Sequence, residues 1–126
     1  LQRFTDALLA EFSYSYMKRD DAFVGYNDYD QHRIRAAGSY RFSPKWRSLV
    51  RISWRDLDYP NAFAFNEPTA GPKRYDEFEL DLLGEYSLTE QISVWARFRF
   101  EDVGSTDRRG AYDRTRTSIG FTWESR

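Results

Sequence analysis

The chain has 126 residues, 19 basic and 20 acidic, with a net charge of −1 and no cysteine. That length holds one domain with a core and leaves no room for a second. The balanced charge gives no global field for nucleic acid or an anionic bilayer surface, and the missing thiols exclude disulfides, thiolate metal sites and cysteine nucleophiles.

Six segments alternate with a period of two, the mark of strands that show different chemistry to two faces. The first, about 5–18, sets Leu8, Ala10, Phe12, Tyr14 and Tyr16 against Glu11, Ser13 and Ser15, with Leu9 as its exception. The second, about 31–42, sets Ile34, Ala36, Gly38, Tyr40 and Phe42 against Arg33, Arg35, Ser39 and Arg41. In the third, about 46–57, Val50, Ile52 and Trp54 oppose Arg47, Arg51 and Arg55, and in the fourth, about 75–88, Phe78, Leu80, Leu82, Gly84 and Tyr86 oppose Glu79, Asp81 and Glu85. The fifth, about 91–102, places Ile92, Val94, Ala96, Phe98 and Phe100 opposite Ser93, Arg97, Arg99 and Glu101. The sixth, about 112–124, places Thr117, Ile119, Phe121 and Trp123 opposite Arg114, Arg116, Ser118 and Thr122. A helical period would scramble both faces.

Connections alternate in length. Ser43-Pro44-Lys45 and the Thr89-Glu90 neighbourhood are tight turns, while 20–30, 59–74 and 103–113 are long and polar. The fold predicted is all-β: an antiparallel up-and-down meander of about six long strands, one domain over 1–126, forming a transmembrane β-barrel or part of a larger one. A register in which Tyr86 faces Ile92 sets Asp81 opposite Arg97 and Glu79 opposite Arg99, a cross-strand ion ladder.

Alternation alone leaves open which face is inside. A soluble barrel buries the aromatic face, and a membrane barrel turns it to lipid. A mean hydropathy of −0.79 and 31% charged residues favour the soluble version. Three features favour the membrane. Strands of ten to twelve residues match a tilted crossing rather than the usual soluble strand of roughly five or six. Aromatics are banded, with Phe42, Trp46, Tyr86 and Trp123 toward the short turns and Tyr16, Trp54, Phe78 and Phe100 toward the long loops, around a waist of Ala36, Gly38, Gly84, Val94 and Ala96. The charged face uses Arg rather than Lys, which suits partly confined charge. No apolar run is long enough for a transmembrane helix, so any crossing is made by strands.

Catalysis has little support. His32, the one histidine, has no second histidine or cysteine with which to form a metal site or a nucleophile pair, and no phosphate loop or nucleophile elbow is present. Glu79 and Asp81, flanked by arginines, read as charge pairs rather than an acid–base couple. Loop aspartates (Asp20, Asp21, Asp28, Asp30, Asp56, Asp58, Asp102, Asp107 and Asp113) match no calcium spacing and read as a solvated rim. Tyr26, Tyr29, Phe63 and Phe65 are loop aromatics that could contact a sugar or a partner. No cofactor and no metal are expected.

The hairpin Tyr40-Arg41-Phe42-Ser43-Pro44-Lys45-Trp46-Arg47 resembles the periplasmic hairpins of Gram-negative outer-membrane β-barrels. The stretch 111–123, ending Ser118-Ile119-Gly120-Phe121-Thr122-Trp123, is similar to the last strand of porin-like barrels and of barrels attached to polysaccharide-export proteins. Glu124, Ser125 and Arg126 depart from the aromatic ending such barrels usually carry. The resemblance implies a bacterial outer-membrane protein with periplasmic short turns and extracellular long loops. Its lumen, lined by Arg33, Arg35, Arg41, Arg47, Arg51, Arg55, Glu79, Asp81, Glu85, Arg97, Arg99, Arg114 and Arg116, would pass polar solutes, with the arginine excess favouring anions. Its partners would be outer-membrane lipid, a polar solute, and the rest of a larger barrel or further copies that close the sheet, because six strands leave two edges unpaired. A chain that starts at Leu1 is expected to be a processed protein or a fragment. The alternatives are a soluble barrel binding a ligand or partner within an aromatic interior, and a structural or surface-recognition barrel whose lumen is blocked by its own ion pairs.

Overall fold

The computed structural model describes residues 2–3, 7–20 and 27–124, the first pair by backbone alone. Thr5, Asp21, Tyr26, Ser125 and Arg126 lie outside the described residues. The chain folds as one antiparallel meander of a short β1 (Gln2–Arg3) and six long strands: β2 (Leu8–Arg19), β3 (Tyr29–Arg41), β4 (Trp46–Phe63), β5 (Pro72–Ser87), β6 (Ile92–Ser105) and β7 (Tyr112–Trp123). Each strand pairs with its neighbours in sequence.

Both tight turns use one local device. Ser43 Oγ accepts from the backbone N–H groups of Lys45 at 3.3 Å and Trp46 at 3.1 Å, and Thr89 Oγ1 accepts from Gln91 at 3.2 Å and Ile92 at 3.0 Å. A hydroxyl that satisfies two turn donors holds the chain reversal without glycine.

Strands at the opposite end run further than the alternation predicts. The β4–β5 hairpin climbs to Phe63 opposite Pro72, with a register shift between Tyr59 and Phe63. Pro60 lies in that shift. Proline has no N–H to give a ladder and is accommodated in strands at bulges, so the hairpin continues past a residue that reads from sequence as a loop. Single turns of 3-10 helix at Ala64–Asn66, Pro68–Ala70 and Arg108–Gly110 complete the long connections.

The expected β5–β6 register is corrected by two residues: Tyr86 faces Val94, Asp81 faces Arg99, and Glu79 faces Glu101. The turn is longer than the Thr89-Glu90 pair implies. Side chains keep their faces, because a slip of two preserves a period of two.

Burial follows the polar face. Gln31, Leu57, Asp81 and Val103 are the strand residues most shielded from solvent, apart from Ala62 at the bulge, and all four share the face that carries the arginines. Phe12, Tyr14, Phe42, Trp46, Phe121 and Trp123 are each at least half exposed. A curled sheet crowds side chains on its concave side and spreads them on its convex side, so the polar face is the concave one. Trp95, which the alternation passes over, also points inward, against Gly120 on β7. A Cβ built on Gly120 would lie 2.5 Å from Trp95 Cζ2, so the indole needs glycine there.

Candidate functional site

Curling brings β2 to β6 around one trough of about 350 Å³, lined by Arg33, Arg35, Arg51, Arg97 and Arg99 together with Glu11, Glu79, Asp81, Ser13 and Ser53. Seven of the predicted lumen residues meet there. The others share the same face at different heights. Arg41, Arg47 and Glu85 lie near the short turns, Arg55 lies toward the long loops, and Arg114 and Arg116 lie on the last strand.

β5 is the acidic strut of this face. Register sets Arg47 opposite Glu85, Arg51 opposite Asp81, and Arg55 opposite Glu77, one rung every four residues. Arg47 Nη2 donates to Glu85 at 2.6 Å, and Arg55 pairs with Glu77. Asp81 is the hub. It accepts two hydrogen bonds from Arg97, one at 2.7 Å from Nε, and has Arg99 Nη2 at 3.7 Å and Arg51 Nη1 at 3.9 Å. Glu79 meets Arg99 at 3.8 Å. The two ion pairs expected from the sequence, Asp81 with Arg97 and Glu79 with Arg99, are therefore made, but diagonally rather than directly across, which long side chains reach easily. On the far side Glu101 accepts from Arg114 and, at 2.6 Å, from the hydroxyl of Tyr112. Glu77 and Glu101 belong to this network and were absent from the predicted set, although their place in the alternation is the same as that of the residues chosen.

Toward the long loops the concave face turns aromatic. Tyr29 packs on Tyr59 at 5.5 Å and Tyr59 on Tyr75 at 5.9 Å, over buried Leu57 and Val103. Tyr29 thus belongs to β3 rather than to a loop.

The predicted interface aromatics Tyr16, Phe42, Trp46, Trp54, Phe78, Tyr86, Phe100 and Trp123 all occupy the convex face. They close both ends of two nine-residue windows, 46–54 and 78–86, and one end of four more, 8–16, 34–42, 92–100 and 115–123, whose other ends are Leu8, Ile34, Ile92 and Thr115. Two residues past each window on the loop side come Lys18, His32, Asp56, Asp76, Asp102 and Asp113. Polar handles of the loop-side aromatics reach into that charged rim, with Trp54 Nε1 donating to Asp76 at 3.0 Å and the Tyr16 hydroxyl to Asp30 at 2.8 Å. His32 is held by aromatics rather than standing free in solvent: Tyr14 Oη lies 2.9 Å from its Nδ1, and the Tyr16 ring lies at 5.0 Å.

Asp107 departs from the solvated rim. It is 5% exposed and accepts from the backbone of Phe65 at 3.2 Å, from the backbone of Arg109 at 3.2 Å, and from the Arg109 guanidinium at 2.9 and 2.7 Å. The Arg109 fork holds the Asp107 carboxyl far below the usual carboxylate range, and the guanidinium is itself stabilised in its charged form. The guanidinium also covers the Phe65 ring at 5.2 Å. Phe65 and Asn66 have φ of 55° and 59°, a left-handed conformation that non-glycine residues adopt only where contacts enforce it. Asp107 supplies those contacts and ties the β4–β5 loop to the β6–β7 loop. Among the described residues no group of three or more His, Cys, Asp or Glu could hold a metal ion.

No protein-family model matches the chain, and no curated protein and no solved structure matches it.

Proposed function

We propose that this chain forms part of the wall of a porin-like or export channel in a bacterial outer membrane, passing polar solutes and favouring anions. One observation carries the reading: the face that gathers Phe, Tyr and Trp is the exposed convex one, and the face that gathers Arg, Asp and Glu is the shielded concave one. Water-soluble sheets bury their apolar side, and a sheet in lipid has the reverse requirement. The nine-residue windows match the roughly nine to eleven residues of a tilted crossing, and the charged rim just beyond them suits a boundary with water. A soluble barrel with an aromatic interior would need the face that gathers Phe, Tyr and Trp inside, whereas the concave face carries aromatic rings at Tyr29, Tyr59 and Tyr75 near the long loops and at Trp95.

Short turns then face the periplasm and long loops the exterior. Beyond Ala10, β2 has no partner on its outer edge among the described residues, and neither has β7. Unpaired backbone groups in hydrocarbon cost several kcal/mol each, so further strands, from a larger barrel or from other copies, close the wall. The dense pairing around Asp81 favours a second reading, a structural or surface-recognition barrel whose lumen is shut by its own ion pairs.

Planar-bilayer recording on detergent-folded protein tests the channel. Stepwise conductance with anion selectivity is expected. Cation selectivity or a silent bilayer contradicts it, and a chain that stays folded without detergent contradicts the membrane altogether.

A further inference from the structure

We infer that the β3 wall of the trough is a binding site for a dianionic oxyanion, a phosphate or sulfate group, held by Arg33 and Arg35. The inference rests on the concave face being the wet one, as in the channel reading, and adds the chemical class of what binds there.

The argument begins with charge. Five guanidiniums and three carboxylates line the trough, an excess of two positive charges. The carboxylates are not shared evenly. Asp81 and Glu79 are engaged by Arg51, Arg97 and Arg99, from β4 and β6. Among the described residues no carboxylate forms an ion pair with Arg33 or Arg35, and Arg33 Nε reaches only the hydroxyl of Ser53, at 3.5 Å. Counting Glu11 on β2, each side of the trough carries one surplus charge, but the two guanidiniums that form no ion pair among the described residues both stand on β3.

Cross-strand neighbours sharpen it. Arg33 lies directly opposite Arg55, and Arg35 opposite Ser53. Like charges directly opposite on a ladder destabilise the sheet; Glu77 neutralises Arg55, which leaves Arg33 as the member of the pair without an ion-pair partner among the described residues. On the other side Arg33 faces Ser15 and Arg35 faces Ser13, so hydroxyl donors flank both guanidiniums. Side chains two apart on one strand stand roughly 6.5–7 Å apart, close enough for two planar forks to grip the oxygens of one tetrahedral anion. The trough as a whole carries two surplus positive charges, and its two guanidiniums without an ion pair among the described residues present paired forks, which together favour phosphate or sulfate over chloride or a simple carboxylate.

Calorimetric titration of the detergent-folded chain with inorganic phosphate, sulfate and acetate tests the site. Saturable binding of phosphate and sulfate, tighter than acetate, is expected. The double variant Arg33→Gln, Arg35→Gln should weaken it about tenfold or more, while a charge-matched pair outside the trough, Lys45→Gln with Arg108→Gln, leaves it unchanged. Should the double variant not fold, Arg35→Gln alone serves, since that side chain holds no ion pair among the described residues. Absent saturation, acetate binding as tightly as phosphate, or affinity unmoved by either arginine variant overturns the inference. Bilayer recording in parallel separates the two ideas. Conductance without phosphate binding leaves the channel and removes the site, whereas phosphate binding with a silent bilayer leaves the site and removes the channel.

Discussion

Asp81 carries the largest electrostatic responsibility of any single residue in the sheet. Its side chain is 4% exposed, and three guanidiniums lie within 4 Å of its oxygens. Removing the charge leaves those cations facing one another in a shielded trough. Breaking such a pair costs more than its net worth, because a charge stays behind without its partner. Asp81→Asn, nearly equal in volume, is expected to lower the unfolding free energy in detergent by about 1–3 kcal/mol, the figure being held down by the half-exposed arginine partners. A denaturant titration that superimposes on the wild type would contradict the hub. The partners themselves were legible: alternation put Asp81, Glu79, Arg97 and Arg99 on one face, and that is what ion pairing requires. Their register was not, since a shift of two changes which residues stand directly opposite while leaving every side chain on its face.

Hairpins are the elements of this fold, and their two ends differ in how well sequence reveals them. At the short-turn end Ser43-Pro44-Lys45 and Thr89-Glu90 stand out as turn chemistry between alternating runs, and the strands begin close to where that chemistry stops. At the other end Pro60 reads as the start of a loop, yet the β4–β5 ladder resumes beyond it through a register shift. Asp107 was equally hidden, because an aspartate that is buried by loop packing looks in sequence like one that is solvated. Its tie between two hairpins has a pH signature. A carboxyl whose pKa is depressed in the folded protein contributes stability above the unfolded value of about 4, and loses it only as pH falls through the lower folded value. Limited proteolysis of the loops at 64–71 and 106–111 is therefore expected to stay slow from pH 7 down through the ordinary aspartate range. In Asp107→Asn it should be fast already at pH 7. Equal cleavage of the two proteins at neutral pH would remove the tie.

At the scale of the whole molecule, six alternating segments specify a two-faced meander and stop there. Period-two alternation is symmetric with respect to inside and outside, so Phe12, Trp46 and Trp123 could in principle line a core or clothe a wall. Curvature breaks the symmetry, and curvature arises from strand twist and long-range pairing rather than from any local signal. The consequence is a sheet whose polar face is the more shielded one, with Gln31 and Asp81 less exposed than Phe12 or Phe121.

The four tryptophans sample both faces, Trp46, Trp54 and Trp123 on the convex side and Trp95 on the concave side over Gly120. Four single-tryptophan versions, with Phe at the other three positions, can be folded into bilayers whose acyl chains carry bromine, a short-range quencher of indole fluorescence. Strong quenching of Trp46, Trp54 and Trp123 with Trp95 left bright is the expected pattern. Trp95 quenched as strongly as the others, or the convex three untouched by brominated lipid, would contradict it.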